Sequence, residues 1–301
     1  MFRISTHMLF DRAISAMLDQ QARVGKTQLH ISTGKRILAP SDDPAGAARV
    51  LDLDRAVGMV EQFQTNADRA KSRLEYEETI LNGVNNLLLR AHELGIQANN
   101  DVMSADQRKA IGAEVRHLAE ELLSLANTKD ANNEYVFAGY KADTRPFENL
   151  GGGQYAYRGD DGQRRIRISH DRQIADGDNG LRVFMNIPVS TGGARSAFET
   201  LDGMATALES GGKPEAYIDD VQLIMDRILT VRASIGGRLN NIDEQVDVNS
   251  NFLLTMEVER SKEEDLDYAK AISQFERQLV ALQGAQKSYA QIQGLSLFNY
   301  L

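Results

Sequence analysis

Few residues of this chain stand at spacings that catalysis or metal binding needs. Its histidines are His7, His30, His92, His117 and His170. No two are four apart, the spacing that sets two imidazoles on one helix face around a metal. Thr33-Gly34-Lys35 and Gly151-Gly152-Gly153 carry phosphate-loop residue types. Neither fits the glycine-rich pattern that ends in Gly-Lys-Ser/Thr, and the first reads better as a helix end with Gly34 as the breaker. Arg158-Gly159-Asp160 spells a cell-adhesion tripeptide, but it falls beside a turn, where Gly and Asp are ordinary. No serine sits in a nucleophile-elbow pattern. The chain has no cysteine, which removes disulfides, thiolate nucleophiles and thiolate metal sites together. The sequence therefore points to no catalytic residue, no cofactor-binding residue and no metal ligand, and to a protein that is not an enzyme.

Composition narrows the remaining classes. A net charge of −9 argues against general nucleic-acid binding, which needs a basic surface. A hydrophobic fraction of 42% suffices for a core. No run of about 18 apolar residues suggests membrane insertion. Arg3, His7, Asp11, Arg12 and Asp19 interrupt the start, so it lacks the apolar block of a signal peptide.

What the sequence does offer is periodicity at both ends. Ile14, Met17, Gln21, Val24, Gln28 and Ile31 alternate in steps of three and four. So do Ile272, Phe275, Leu279, Leu282, Gln286, Tyr289 and Gln293. That is the seam of a helix that packs on another helix. Residues 1–40 carry six basic and two acidic side chains, and residues 241–301 five basic and ten acidic, so charge weakly favours pairing the two ends. A seam rich in glutamine is weak alone and predicts folding on assembly. Glu259 to Asp265 is a mixed charge run of the kind that covers a solvated helix face.

The prolines place the elements. Pro40, Pro44, Pro146, Pro188 and Pro214 leave 45–145 and 215–301 free to be helical. The first helix is predicted from Ser5 to about Ile37. Pro40-Ser41-Asp42-Asp43-Pro44 makes a rigid corner, with Asp43 capping a second helix from Pro44 to about Asn100. This corner is a candidate for both joining the helices and contacting another subunit. Ser104-Ala105-Asp106-Gln107 is a capping box that opens a third helix, Ala105 to about Lys129. Glycines and aromatics then predict strands at Tyr135–Phe137 and Leu181–Phe184. A hairpin is predicted in which Tyr155 and Tyr157 face Ile166 and Ile168 across the turn Asp160-Asp161-Gly162. A short helix over Ala194–Glu209 precedes one long helix from Pro214 onward. The fold class is mainly α with a β insert: a long-helix coiled coil from both termini plus a small β-rich domain. The division is 1–43 with 260–301 as the terminal coiled coil, 44–133 with 194–259 as a helical rod, and 134–193 as the β-rich outer part.

Several of these stretches resemble one family. Arg3-Ile4-Ser5-Thr6, Ser32-Thr33-Gly34-Lys35-Arg36-Ile37 and Pro40 to Pro44 resemble the N-terminal signature shared by flagellins and the hook-filament junction proteins of bacterial flagella. Leu295-Ser296-Leu297-Phe298-Asn299-Tyr300-Leu301 resembles the C-terminus of the junction proteins. Tyr135 to Tyr140, Arg145-Pro146-Phe147, Tyr157 to Asp160 and Arg232 to Asn240 are similar as well. The resemblance implies a flagellin-like fold and a structural adaptor outside the cell, exported unfolded by the flagellar type III apparatus. It implies as partners flagellin, hook-associated protein 1, further copies of the chain in a ring, and a cytoplasmic export chaperone. The alternatives are a flagellin, or an adhesin that uses the β-rich part.

Overall fold

The computed structural model describes residues 6–294. Helices dominate: α1 (Thr6–Thr33), α2 (Pro44–Ala98), α3 (Ala105–Ala126), α4 (Gly180–Phe184), α5 (Ala197–Glu209), α6 (Glu215–Glu264) and α7 (Tyr268–Gly294). Six short strands form three antiparallel hairpins: β1 (Phe147–Gly151) with β2 (Gln154–Tyr157), β3 (Arg165–Arg167) with β4 (Gln173–Ala175), and β5 (Ile187–Pro188) with β6 (Ala194–Arg195). The described chain is mainly α with a small β region, as the sequence implies. It divides into two compact units: one from Met1–Met59 and Phe252–Leu301, the other Val60–Asn251.

In the second unit the apolar stripes supply the core. Leu74, Leu81, Leu88 and Leu94 of α2 meet Val115 and Leu122 of α3, Leu201, Met204 and Leu208 of α5, and Ile224, Ile228, Ile235 and Ile242 of α6. All are essentially buried, and, with the buried Ala91 between Leu88 and Leu94, their spacings of three, four and seven put each set on one helix face. The α3–α5 approach is close: a Cβ on Gly112 would lie 2.8 Å from the Glu209 amide nitrogen. The capping box at Ser104 forms, with the Ser104 amide donating to Gln107 Oε1 (2.8 Å). Ser196 and Glu199 make a second one at the start of α5. That cap stops helix at Ala197, so Ala194 and Arg195, predicted to be helical, pair in β6 instead.

The β region is arranged otherwise than its alternation predicts. Tyr155 and Tyr157 do not face Ile166 and Ile168. Tyr157 pairs with Phe147 and Tyr155 with Asn149, across a turn of Gly151, Gly152 and Gly153, all at positive φ. Three successive positive φ values are open only to glycine, so this glycine run is the hairpin turn. Ile166 pairs with Ile174 in a separate hairpin. The driving term is aromatic burial: Phe147 lies 4.8 Å from Phe198 and 5.6 Å from Phe184, and Phe137 lies 5.2 Å from Phe184, centroid to centroid. Leu181–Phe184 is part of helix α4, not a strand. Asn179 caps it, accepting from the Arg182 amide (3.0 Å), and the consecutive residues Val183 and Phe184 are both buried. Tyr135–Phe137 forms no strand either. The Phe137 carbonyl accepts from the Gly180 amide (2.8 Å), and Gly139 turns at φ +72.

Glu77 of α2 is fully buried beneath this region. Its Oε1 accepts from the Asp178 amide (3.2 Å), while Oε2 takes no bond from the protein. Burial pushes its pKa well above the usual carboxylate range, and the Asp178 carboxylate adds to the rise. A proton held in the folded state and lost in the unfolded one makes stability fall as pH rises from about 4 upward. Glu77→Gln keeps an acceptor for the Asp178 amide without a charge. It should raise stability at neutral pH by about 1 kcal/mol or more and flatten the pH dependence. Denaturant midpoints at acid and neutral pH check this, and a lower midpoint for the variant at neutral pH would overturn it.

Candidate functional site

The periodic ends meet. In the first unit α1 packs against α7, and the faces that are covered follow a strict alternation of three and four. On α1 they are Phe10, Ala13, Met17, Gln20, Val24, Thr27 and Ile31. On α7 they are Ala271, Phe275, Gln278, Leu282, Ala285 and Tyr289. The ring of Phe10 meets that of Tyr289 edge-on at 6.1 Å. Gln20 Nε2 donates to the Gln278 carbonyl (3.0 Å), and Thr27 Oγ1 to Gln278 Oε1 (2.7 Å).

Most residues of the predicted seam lie at or beside this contact. Met17, Val24, Ile31, Phe275, Leu282 and Tyr289 fall in the covered stripe, and Ile14 and Leu279 beside it are largely covered. Gln21, Gln28, Ile272 and Gln286 are exposed, Ile272 by 48%. Thr27, Ala271 and Ala285, together with Gln20 and Gln278, occupy the alternate positions instead. The reason is steric and polar: alanines let the helices approach, and the glutamine and threonine side chains bond across the contact. A reading that ranks positions by hydrophobicity passes over both. The side chain of Gln293, and the signature residues Arg3-Ile4-Ser5 and Leu295 to Leu301, lie outside the described residues.

The corner is built by main-chain exchange. Gly34, at φ +72, ends α1 with its amide on the His30 carbonyl (2.9 Å). The Arg36 amide donates to the Glu264 carbonyl (2.7 Å) and the Leu266 amide to the Gly34 carbonyl (2.9 Å). This exchange stops α6 at Glu264. Asp267 then caps α7, accepting from the Lys270 amide (3.1 Å). The long C-terminal helix predicted from Pro214 is thus two helices.

Asp42 and Asp43 do separate work. Asp42 Oδ2 accepts from the Leu38 and Ala39 amides (3.1 Å each), and Oδ1 meets Lys26 Nζ at 2.6 Å. The Lys26 hydrogen bond and these amides lower its pKa to about 2. Asp43 Oδ1 caps α2 through the Gly46 amide (2.9 Å), and Oδ2 accepts from Arg36 Nη1 (2.9 Å). These bonds, the Gly46 amide first, hold its pKa low. Arg36 also reaches the Glu263 carbonyl (2.6 Å), Arg49 binds Glu263 Oε2 (2.9 Å), and Lys35 binds Glu264 (2.5 Å). Pro40, Ser41 and Pro44 are exposed. The charge run at 259–265, expected to be a solvated face, therefore contributes Glu263 and Glu264 to the corner. Sequence reasoning gave no bonding role to Lys26, Arg36, Arg49, Glu263 and Gln278: the last three find partners more than two hundred residues away, and Lys26 and Arg36 reach Asp42 and Asp43 around a turn that spacing does not describe.

The chemistry-like motifs resolve into structure. Asp160 Oδ1 accepts from the Tyr140 (2.9 Å) and Gly162 (2.8 Å) amides, and Arg158 Nε donates to Glu148 (3.0 Å). The adhesion tripeptide thus closes a turn. Among the described residues no three His, Asp or Glu side chains form a metal-binding group.

A family model for the bacterial flagellin N-terminal helical region matches residues 4–142. The chain is 30% identical to flagellar hook-associated protein 3 of Escherichia coli, over 99% of both chains. It belongs to the flagellar hook-associated protein 3 family. The flagellin FlaB1 of Treponema pallidum matches at 24% identity over 94% of this chain and 96% of its own. The crystal structure of hook-associated protein-3 from Legionella pneumophila shares the fold, with a TM-score of 0.65 at 23% identity over 70% of this chain and 97% of that one. The hook-associated protein 3 family is structural, not enzymatic. Membership places the protein in the bacterial flagellum, with hook and filament components as its partners, and a flagellin reading is not favoured.

In this family member the corner carries its own pH signature. Asp42 has a depressed pKa, so its contribution is present above the ordinary carboxylate value near 4 and is lost as pH falls toward about 2. Protection of the Leu38 and Ala39 amides against hydrogen exchange, taken relative to the intrinsic rate at each pH, should be high and flat above that window and fall within it. Asp42→Ala, which removes the acceptor, should give low protection at every pH. Unchanged protection in the variant would show that Asp42 does not hold the corner.

Proposed function

We propose that this chain is the adaptor that joins hook-associated protein 1 to the flagellin filament, assembling as a ring of its own copies. The observation that carries the reading is the end-to-end match to hook-associated protein 3, over 99% of both chains. The terminal coiled coil, 1–43 with 260–301, joins the inner tube. The helical rod, 44–133 with 194–259, makes the subunit contacts, and the β-rich part 134–193 faces solvent. The corner Pro40 to Pro44 contributes a contact to a neighbouring copy. The protein leaves the cell through the flagellar type III apparatus after a cytoplasmic chaperone has held its C-terminal segment.

Folding of the ends is coupled to assembly. The support is the thinness of the α1–α7 contact: of its residues only Val24, Thr27 and Ala271 are buried, and two of its bonds run through Gln278. A single helix pair with so little buried surface is marginal in water and gains stability by burying further surface on neighbours.

Two experiments test this. Antibody labelling of purified flagella should give one band where hook meets filament; label along the filament would mean a filament subunit. Replacing Leu279 and Leu282 by Asp should leave the far-ultraviolet circular dichroism nearly unchanged and abolish incorporation and motility. Normal assembly of that variant would sink coupled folding.

A further inference from the structure

The unit Val60–Asn251 gathers unpaired cations in one place, on a chain with 43 acidic against 34 basic side chains. Arg165, Arg172 and Arg182 line a cleft of about 480 Å³ between the β3–β4 hairpin, α4 and α6. That volume lies in the usual range of about 300–1,000 Å³ for small-ligand sites. All three arginines are exposed, and none forms an ion pair among the described residues. The fourth arginine of the lining, Arg238, is spent on Asp178, which also accepts from Gln163 Nε2 (2.9 Å). Asp171 is the remaining acid of the lining and is exposed. Three free guanidiniums against one free carboxylate leave a positive excess.

Arg172 is held at the cleft by neutral groups. Its Nη1 donates to Gln245 Oε1 (3.2 Å), Gln245 Nε2 to Asn249 Oδ1 (2.9 Å), and Asn249 Nδ2 to the Ile168 carbonyl (3.2 Å). Gln245 and Asn249 are buried on α6. Burying two side-chain amides is costly unless each is bonded, and this relay ends on a guanidinium at the cleft. It fixes the position of Arg172 and leaves its charge unmatched. Arg164 of the same hairpin is treated otherwise: it pairs with Asp176 (2.6 Å) and Glu134 (3.6 Å).

A ligand for this lining must accept from several directions and carry more than one negative charge. Guanidinium forks match the oxygens of phosphate and sulfate groups. A tetrahedral group presents oxygens to the hairpin, α4 and α6 together, which a planar carboxylate does not. Ser234 and Asn241 of α6 add neutral groups able to donate.

We propose that this cleft binds a compact polyvalent oxyanion of the phosphate or sulfate class, free or carried on a sugar. Arg165 and Arg182 hold it through their forks, and Arg172, fixed by Gln245, closes a third side. The site does not rest on the junction role.

The test is titration calorimetry on the full chain with inorganic pyrophosphate and, separately, a disulfated disaccharide. Binding at one site per chain is expected, weakening as salt rises from about 50 to 300 mM. Tighter binding of pyrophosphate assigns the cleft to a free anion, and tighter binding of the disaccharide assigns it to a glycan. Arg165→Gln with Arg182→Gln, two exposed sites, should weaken the tighter ligand by about tenfold or more. Arg69→Gln with Arg145→Gln removes the same charge from exposed positions outside the cleft and should change its affinity by less than about twofold. Methyl sulfate, tetrahedral but singly charged, should bind about tenfold more weakly. Three outcomes overturn the proposal: neither ligand binds, the outer pair of substitutions weakens binding as much as the cleft pair, or methyl sulfate binds as tightly as the better ligand.

Discussion

The arrangement of the chain ends depends on one main-chain exchange. Two bonds, Arg36 amide to Glu264 carbonyl and Leu266 amide to Gly34 carbonyl, join segments more than two hundred residues apart in sequence. They finish α1, interrupt the C-terminal helix and fix where α7 begins. Arg36, Asp43, Arg49 and Glu263 then surround the exchange with charge. Each exposed ion pair is weak alone. Their value here is geometric, because they hold the entry of α2 and the exit of α6 against the same turn.

Elsewhere the constraint is burial. In the unit Val60–Asn251, leucine and isoleucine stripes fix the helices, and the aromatic cluster of Phe137, Phe147, Tyr155, Phe184 and Phe198 fixes the hairpins. The polar groups caught below are matched unevenly. Arg238 pairs with Asp178, and Ser190 and Arg195 with Asp220. Glu77, Asp176 and Arg73 each keep one atom unmatched. A family whose work is assembly, not catalysis, has no chemical use for such atoms.

A thin helix pair in one unit and a well-packed core in the other divide the labour. The core of Val60–Asn251 closes on apolar stripes of its own helices. The α1–α7 contact, lined by Ala, Thr and Gln, is where added surface changes stability most. A richer seam of leucines would close on itself and leave less to gain on joining a neighbour.

The sequence by itself determined the helical class, the lack of catalytic chemistry, the cap at Ser104, the corner with Asp43 ahead of Pro44, and the meeting of the two ends. Those features are local or periodic: a cap needs four residues, and a stripe needs only its own helix. The tertiary structure alone decided the break after Glu264, the one-residue offset of Gln21, Gln28, Ile272 and Gln286 from the covered face, the helix at Gly180–Phe184, and the pairing of β2 with β1. None of these has a local cause. Main-chain bonds to Gly34 and Arg36 break a helix that holds no proline or glycine at the break, and small residues at the closest approach set the seam. Burial of rings drawn from 137 to 198 outweighs the alternation that a hairpin about Asp160 would have used.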